Sequence, residues 1–401
     1  MFNRILVTVI VSVFIALLGV GIIIPVLPLL ATKLGATGFT LGLITAAFSI
    51  SRGLLQPVVG NLSDRWGRKG FLVTGLFIYG LVGLLIPHAG SVPHLVLIRF
   101  FQGVGSAMIV PVAMAYASVL APPGQEGRFM GVVNTAIFCG IGAGPILGGM
   151  FADAWGLAAV FHAMAGLCFF AFLLVVCNMP PVCPIERTTR AGVFVSLGKM
   201  LRRRRTVGIL LARYATMLMM VPTMAFLPLM MADWPGNSGL RVGLVIACRT
   251  LMNAVLQAPF GRLADRGDKV RLMVGGCLCM SLAVFLIPLM TSFAAIIAVY
   301  FFLGFGEAIL WPVLGAYAAE EGRERFGHGT MMGVFNLAMS AGVFTGALLA
   351  GVSMDSLGMR QAYHATAAAI LILPLIAATL IRAGEAAGEA GSSQSTSSPG
   401  L

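Results

Sequence analysis

Long apolar runs and short charged breaks alternate along this chain almost from end to end. Apolar runs of 18 or more residues are long enough to cross the hydrocarbon of a bilayer as helices, whereas half-buried strands would alternate with a period of two. Twelve such runs can be marked, at about 5–31, 38–62, 69–88, 92–119, 127–153, 156–178, 206–232, 239–262, 269–290, 293–319, 328–354 and 359–382. No stretch demands a strand. The pattern predicts an all-α integral membrane protein with twelve transmembrane helices.

Composition agrees. The 401 residues are 59% hydrophobic and 10% charged, with a mean hydropathy of +0.97, where soluble domains run nearer half apolar and a quarter charged. A net charge of +12 would suit a nucleic-acid partner, but its distribution argues against one. With the N-terminus and even-numbered loops on the cytoplasmic side, only Lys33, Arg241 and Arg360 of the 26 basic residues fall on the opposite side. Arg52, Arg99, Arg213 and Arg249 lie within spans, and the rest face inward. This is the positive-inside asymmetry. It predicts a bilayer partner, an inner (plasma) membrane location and cytoplasmic termini.

The seven cysteines, at 139, 168, 177, 183, 248, 277 and 279, fall mostly within apolar runs. Neither a disulfide framework nor a zinc site is expected. The N-terminal run exceeds a signal-peptide core and reads as a retained first helix.

Sliding the sequence by 201 residues superposes Gln56 on Gln257, Asp64 on Asp265, Gly103 on Gly304, Pro111 on Pro312 and Tyr116 on Tyr317. One more residue of offset superposes Asn134 on Asn336, Asp153 on Asp355 and His162 on His364. Two pseudo-symmetric six-helix halves follow, with a substrate site between them near the midplane. The division is 1–178, a basic cytoplasmic linker at 179–205 with Pro180, Pro181, Pro184 and the Arg202 to Arg205 run, then 206–382, and a Gly, Ala, Ser and Glu tail at 383–401 expected to be disordered.

The charged break after the second run reads Gly60-Asn61-Leu62-Ser63-Asp64-Arg65-Trp66-Gly67-Arg68-Lys69, with a weaker echo from Gly261 to Lys269. It resembles the loop signature of the major facilitator superfamily. Leu95, Arg99, Gln102, Gly103, Gly105 and Ala107 resemble that family's fourth-helix motif. Gly140, Gly144, Pro145, Gly148 and Gly149 resemble its antiporter motif, G-x-x-x-G-P-x-x-G-G. Leu18 to Pro28 is similar to the first helix of the twelve-helix drug:proton antiporter branch, although the acidic residue many members carry there is absent. The resemblance implies alternating access, proton-coupled exchange and a small-molecule substrate, with Asp64, Arg65 and Arg68 gating one state and Arg99 associated with proton transfer.

Polar residues inside hydrocarbon are costly and therefore informative. Arg52 and Gln56 share a face of the second helix, and Arg99, Gln102 and Ser106 share one of the fourth. Arg249 and Asn253 line a stripe on the eighth, Glu307 and Trp311 sit a turn apart on the tenth, and Asn134 and Asn336 add single amides. Arg52 either faces a cavity or pairs with backbone carbonyls. Arg213 is expected to snorkel at the cytoplasmic end, and the methionines of the seventh helix are mostly filler. Glu307 is the candidate proton site, and Arg52, Gln56, Gln102, Asn134, Arg249, Asn253, Trp311 and Asn336 line the candidate cavity.

The expected function is proton-coupled efflux of small lipophilic or amphipathic compounds by a monomer. An exporter of organic or lipid-like anions, using Arg52, Arg99 and Arg249, is the alternative, and a non-transporting sensor is a third reading. No phosphate loop, metal cluster or activated nucleophile suggests an enzyme or a cofactor.

Overall fold

The structure is a computed structural model that describes residues 2–120, 126–179, 198–326 and 328–395. Among these, no strand occurs, and eleven helices are long and apolar enough to cross a membrane, or twelve with the bent first span. We number the spans α1 (Phe2–Ile23, continued by Leu27–Lys33), α2 (Gly38–Trp66), α3 (Arg68–Leu85), α4 (Val92–Leu120), α5 (Glu126–Trp155) and α6 (Leu157–Asn178). The second half holds α7 (Arg204–Met217, continued by Leu227–Met230), α8 (Gly239–Arg266), α9 (Lys269–Leu286), α10 (Phe293–Glu321), α11 (His328–Leu357) and α12 (Met359–Ser395).

Prolines explain both broken spans. Pro25 and Pro28 cannot donate to the helical ladder, and α1 bends by 40° there. In α7, Pro222 opens a π-turn over Pro222–Phe226, which frees carbonyls inside hydrocarbon. Two buried tyrosines satisfy them: Tyr363 donates to the Pro222 carbonyl at 2.6 Å and Tyr300 to that of Thr223 at 2.7 Å. This is how a membrane helix tolerates a break.

Each half has its own core, with Leu72, Leu76, Tyr79 and Phe161 in the first and Phe226, Tyr300, Leu314 and Tyr363 in the second. The halves meet along two pairs of helices, α2 on α11 and α5 on α8. The repeat exchanges one pair for the other.

Two predicted boundaries move. The charged stretch at 60–66 is helical, because α2 runs on to Trp66 and the turn narrows to Gly67, whose φ of 96° suits a residue without a Cβ. At the other terminus, α12 continues through Ser395 rather than ending near 382. Gly384 packs against Arg205, and Glu385 comes within 3.8 Å of it, so this stretch has a partner to order it. Arg205 also holds Glu321 and Glu320 at 3.1 and 2.9 Å, while Lys269 pairs with Glu320. These ions tie α7, α9, α10 and α12 together at the end where the termini lie.

Candidate functional site

At the end remote from the termini the halves close tightly. A Cβ on Gly149 of α5 would collide with Gly239 of α8, one on Gly243 with Pro145, and one on Gly42 of α2 with Ala347 of α11. Two carboxylates fasten this end. Asp153, at the end of α5, accepts from the first backbone N–H groups of α8, Gly239 at 2.7 Å and Leu240 at 2.9 Å. Its repeat mate Asp355, at the end of α11, accepts from Gly38 and Phe39 of α2 at 2.6 and 2.7 Å. Each carboxylate meets the positive end of a helix from the other half. Toward the termini the contact thins: Gly60 of α2 faces open space. The closest contacts between the halves are at the end remote from the termini.

The antiporter motif works on two faces of α5. Gly140, Gly144 and Gly148 recur every fourth residue and seat α1, where Gly144 lies against Gly21 and Gly148 against Ile22. Pro145 and Gly149, one position on, face α8 across the interface. Small residues permit both approaches.

The polar side chains predicted for the interior divide into two groups. In the second half, Arg249 and Glu307 form a buried bidentate pair, with Nε and Nη2 donating to the two carboxylate oxygens at 3.0 and 2.6 Å. Arg249 Nη1 also donates to Thr223 Oγ1 at 2.6 Å, and the Thr223 hydroxyl donates in turn to the Met219 carbonyl. Thr223 and Tyr300 complete this network, and sequence reasoning gave neither a role. The signal was there, since the repeat sets Tyr300 opposite Arg99. Arg249 is therefore spent on Glu307 and does not join Arg52 and Arg99 as a free cation, which corrects the predicted arginine cluster.

Three other arginines have no carboxylate among their described contacts. Arg99 donates to Gln102, and its guanidinium stands 4.5 Å from the centre of the Phe48 ring. Arg52 lies nearby on α2, both arginines sharing the electrostatic neighbourhood of Tyr79. Arg213 is the correction that matters most. It does not snorkel at a membrane edge: it is buried in α7, its guanidinium 5.4 Å from the Trp311 ring centre and 4.8 Å from that of Phe335. Its Nη2 lies 2.9 Å from Met339 Sδ. Trp311 in turn meets Phe138 of α5 across the interface, with ring centres 6.2 Å apart.

Buried polar side-chain atoms without a hydrogen-bond partner include Arg52 Nε and Gln56 Oε1 on α2, Arg99 Nε on α4, Arg213 Nε on α7, Asn253 Oδ1 on α8 and Trp311 Nε1 on α10. Asn336 is half-buried on α11, one turn from Ser340. Gln102 is fully buried on α4. Of the predicted gate, Arg68 donates to the Ala115 carbonyl at 2.9 Å, within its own half. The side chains of Asp64, Arg65 and Asn134 lie outside the described residues. No group of metal-binding side chains occurs among the described residues.

The sequence profile of the Major Facilitator Superfamily matches residues 9–233 and again 207–398. The chain belongs to that superfamily. An uncharacterized MFS-type transporter of Methanocaldococcus jannaschii is 28% identical over 370 residues, 91% of this chain and 95% of that protein. Multidrug resistance protein 2 of Bacillus subtilis is 25% identical over 354 residues, 86% of this chain and 87% of its own length. In three dimensions, a bacterial homolog of the human lysosomal transporter Spinster, in an inward-facing and unoccupied conformation, superposes with a TM-score of 0.82 at 14% identity, covering 95% of this chain and 97% of its own. This major facilitator is an integral membrane transporter, and its family consists of carriers rather than enzymes.

Proposed function

We propose that the protein is a secondary active exporter of small amphipathic compounds, working by alternating access as a monomer in the plasma membrane with its termini in the cytoplasm. The observation that carries this reading is the closed remote end, fastened by contacts between halves, above an interior lined with unpartnered polar atoms. The relative in Bacillus subtilis, named for multidrug resistance, supports export as the direction. The basic residues on the terminal side support the orientation.

Protons supply the drive in this reading, and Glu307 is the exchange site. Both Glu307 oxygens accept from the Arg249 guanidinium. Protonation from the outside would remove the charge–charge attraction between Arg249 and Glu307 and loosen α8 from α10. In proteoliposomes, Glu307→Gln should abolish acceleration of transport by an imposed pH gradient while downhill exchange continues. Unchanged coupling in that variant would refute the assignment.

A second reading has its own observation. Arg52, Arg99 and Arg213 leave the interior net positive, since Glu307 is already balanced by Arg249. An anionic group on the cargo would complement that charge. An inside-negative potential also favours export of an anion, by about 2.3 kcal/mol per charge per 100 mV.

A further inference from the structure

Arg52 and Arg213 belong to opposite halves, each on a helix that packs against α11. Arg52 stands 14 residues into α2 from the closed end, about 21 Å at 1.5 Å per residue, and Arg213 stands 9 residues into α7 from the opposite end, about 14 Å. Both therefore lie near mid-depth. A short segment of α11 fixes their mutual position. Met339 touches Arg213, and the next residue, Ser340, is packed so closely on Gly53, the neighbour of Arg52, that a Cβ there would fall 2.5 Å from its own. Arg213 feels the charge of Glu307 first and that of Arg52 second. Each of the two arginines also keeps a buried Nε with no hydrogen-bond partner, as Arg99 and Arg205 do, and a buried donor of this kind favours an acceptor brought by a ligand.

Resting on the export reading, we propose that Arg52 and Arg213 hold the anionic group of the cargo between the halves, and that the loaded carrier reorients faster than the empty one. The recognised class is an aromatic carboxylate or sulfonate. The charge sits between the guanidiniums, which can bind such oxygens bidentately, and the ring lies against Trp311, Phe335 and Phe138. The preference for loaded movement follows from like charge. When the terminal side closes, α2 and α7 approach in this scheme, and the two like-charged guanidiniums at low dielectric oppose the motion. A bound anion reverses the sign of that contact. The protein then favours exchange of one anion for another over return of the empty carrier.

The test uses the full-length protein, purified and in proteoliposomes, with carboxyfluorescein and naphthalene-2-sulfonate as anionic probes and ethidium as a cationic one. Binding is read directly by tryptophan fluorescence, transport by probe flux. Wild type should bind both anions, and unlabelled anion on the far side should accelerate anion flux at least fivefold. Arg213→Gln and Arg52→Gln should each weaken anion binding tenfold or more and remove the acceleration, while Arg213→Lys restores most of both. The lysine variant guards against simple misfolding, as does an unchanged thermal midpoint.

Wild-type anion binding that survives both glutamine variants overturns the site. So does loss of ethidium flux in step with anion binding, and so does anion flux in wild type that ignores the far side. Flux of ethidium without any anion binding overturns the site but leaves the exporter standing. Absence of flux for every probe, with anion binding intact, refutes the exporter while upholding the site.

Discussion

Neutralising the two carboxylates that fasten the closed end should shift the carrier toward its other state. Asp153 and Asp355 each receive two backbone N–H groups from the first turn of a helix in the opposite half, at 2.6 to 2.9 Å. Hydrogen bonds to a charged acceptor contribute about 1.5 to 3 kcal/mol when sheltered, and a carboxylate at a helix N-terminus adds about 0.3 to 1 kcal/mol. Both aspartates are exposed, so water and salt screen the charge, and the loss on Asp→Asn is nearer 1 to 1.5 kcal/mol at each site. The sites share no partner, so their effects should add. Asp153→Asn with Asp355→Asn then costs the closed end about 2 to 3 kcal/mol, a change of roughly 30- to 150-fold in the ratio of states at 1.4 kcal/mol per factor of ten. Spin labels at Lys33 and Asp233, exposed positions at that end on opposite halves, report the separation by pulsed electron resonance. The double variant should gain a long-distance population that each single variant shows in smaller amount. High salt should have the same effect on the unmodified chain. A distance distribution unchanged in the double variant refutes the clamp.

The interface glycines test the same motion from the opposite direction. Gly149→Ala should hold that end apart, since its Cβ would strike the Gly239 backbone, and transport should fall at least tenfold while the same label pair reads long distances. In the interior, Glu307→Ala strands a buried Arg249, and breaking such a pair costs about 3 to 5 kcal/mol. Replacing both, as Arg249→Met with Glu307→Met, should recover much of that in the thermal midpoint, although pH coupling stays lost. Tyr363→Phe removes the donor to the Pro222 carbonyl and should cost about 1 to 3 kcal/mol, read as a lower unfolding midpoint with cargo binding intact.

The fold was legible because hydrocarbon imposes one rule, that backbone groups be satisfied internally, and long apolar runs obey it visibly. The repeat was equally plain, since Asp153 and Asp355 or Asn134 and Asn336 fall in register. What those aspartates do was not legible. A carboxylate at a helix end reads as a solvated terminus until the partner helix from the other half is set against it. Arg213 shows the same limit from the inside. Counting residues put it near the membrane edge, but α7 starts within the Arg202 to Arg205 run, held there by Glu320 and Glu321, and Arg213 is buried against Trp311 and Phe335. Arg249 and Glu307 were each seen as polar, yet their pairing needed α8 to lie on α10. Sequence found the chemistry, and packing decided which charges remained free.

The charged contacts of this carrier differ in a way that alternating access requires. Those inside a half are multiple and sheltered: Arg249 on Glu307, and Arg205 on Glu320 and Glu321. Those between halves, at Asp153 and Asp355, are exposed. Breaking the Arg249–Glu307 pair costs about 3 to 5 kcal/mol because a charge is stranded in hydrocarbon, whereas a contact of the second kind opens onto water that replaces its hydrogen bonds. The antiporter motif follows the same division, seating α1 through Gly140, Gly144 and Gly148 and leaving Pro145 and Gly149 to face α8. A movement that turns one half against the other therefore meets its lowest resistance along α2–α11 and α5–α8. The charges left at that seam, Arg52 and Arg213, are the ones a cargo can still change.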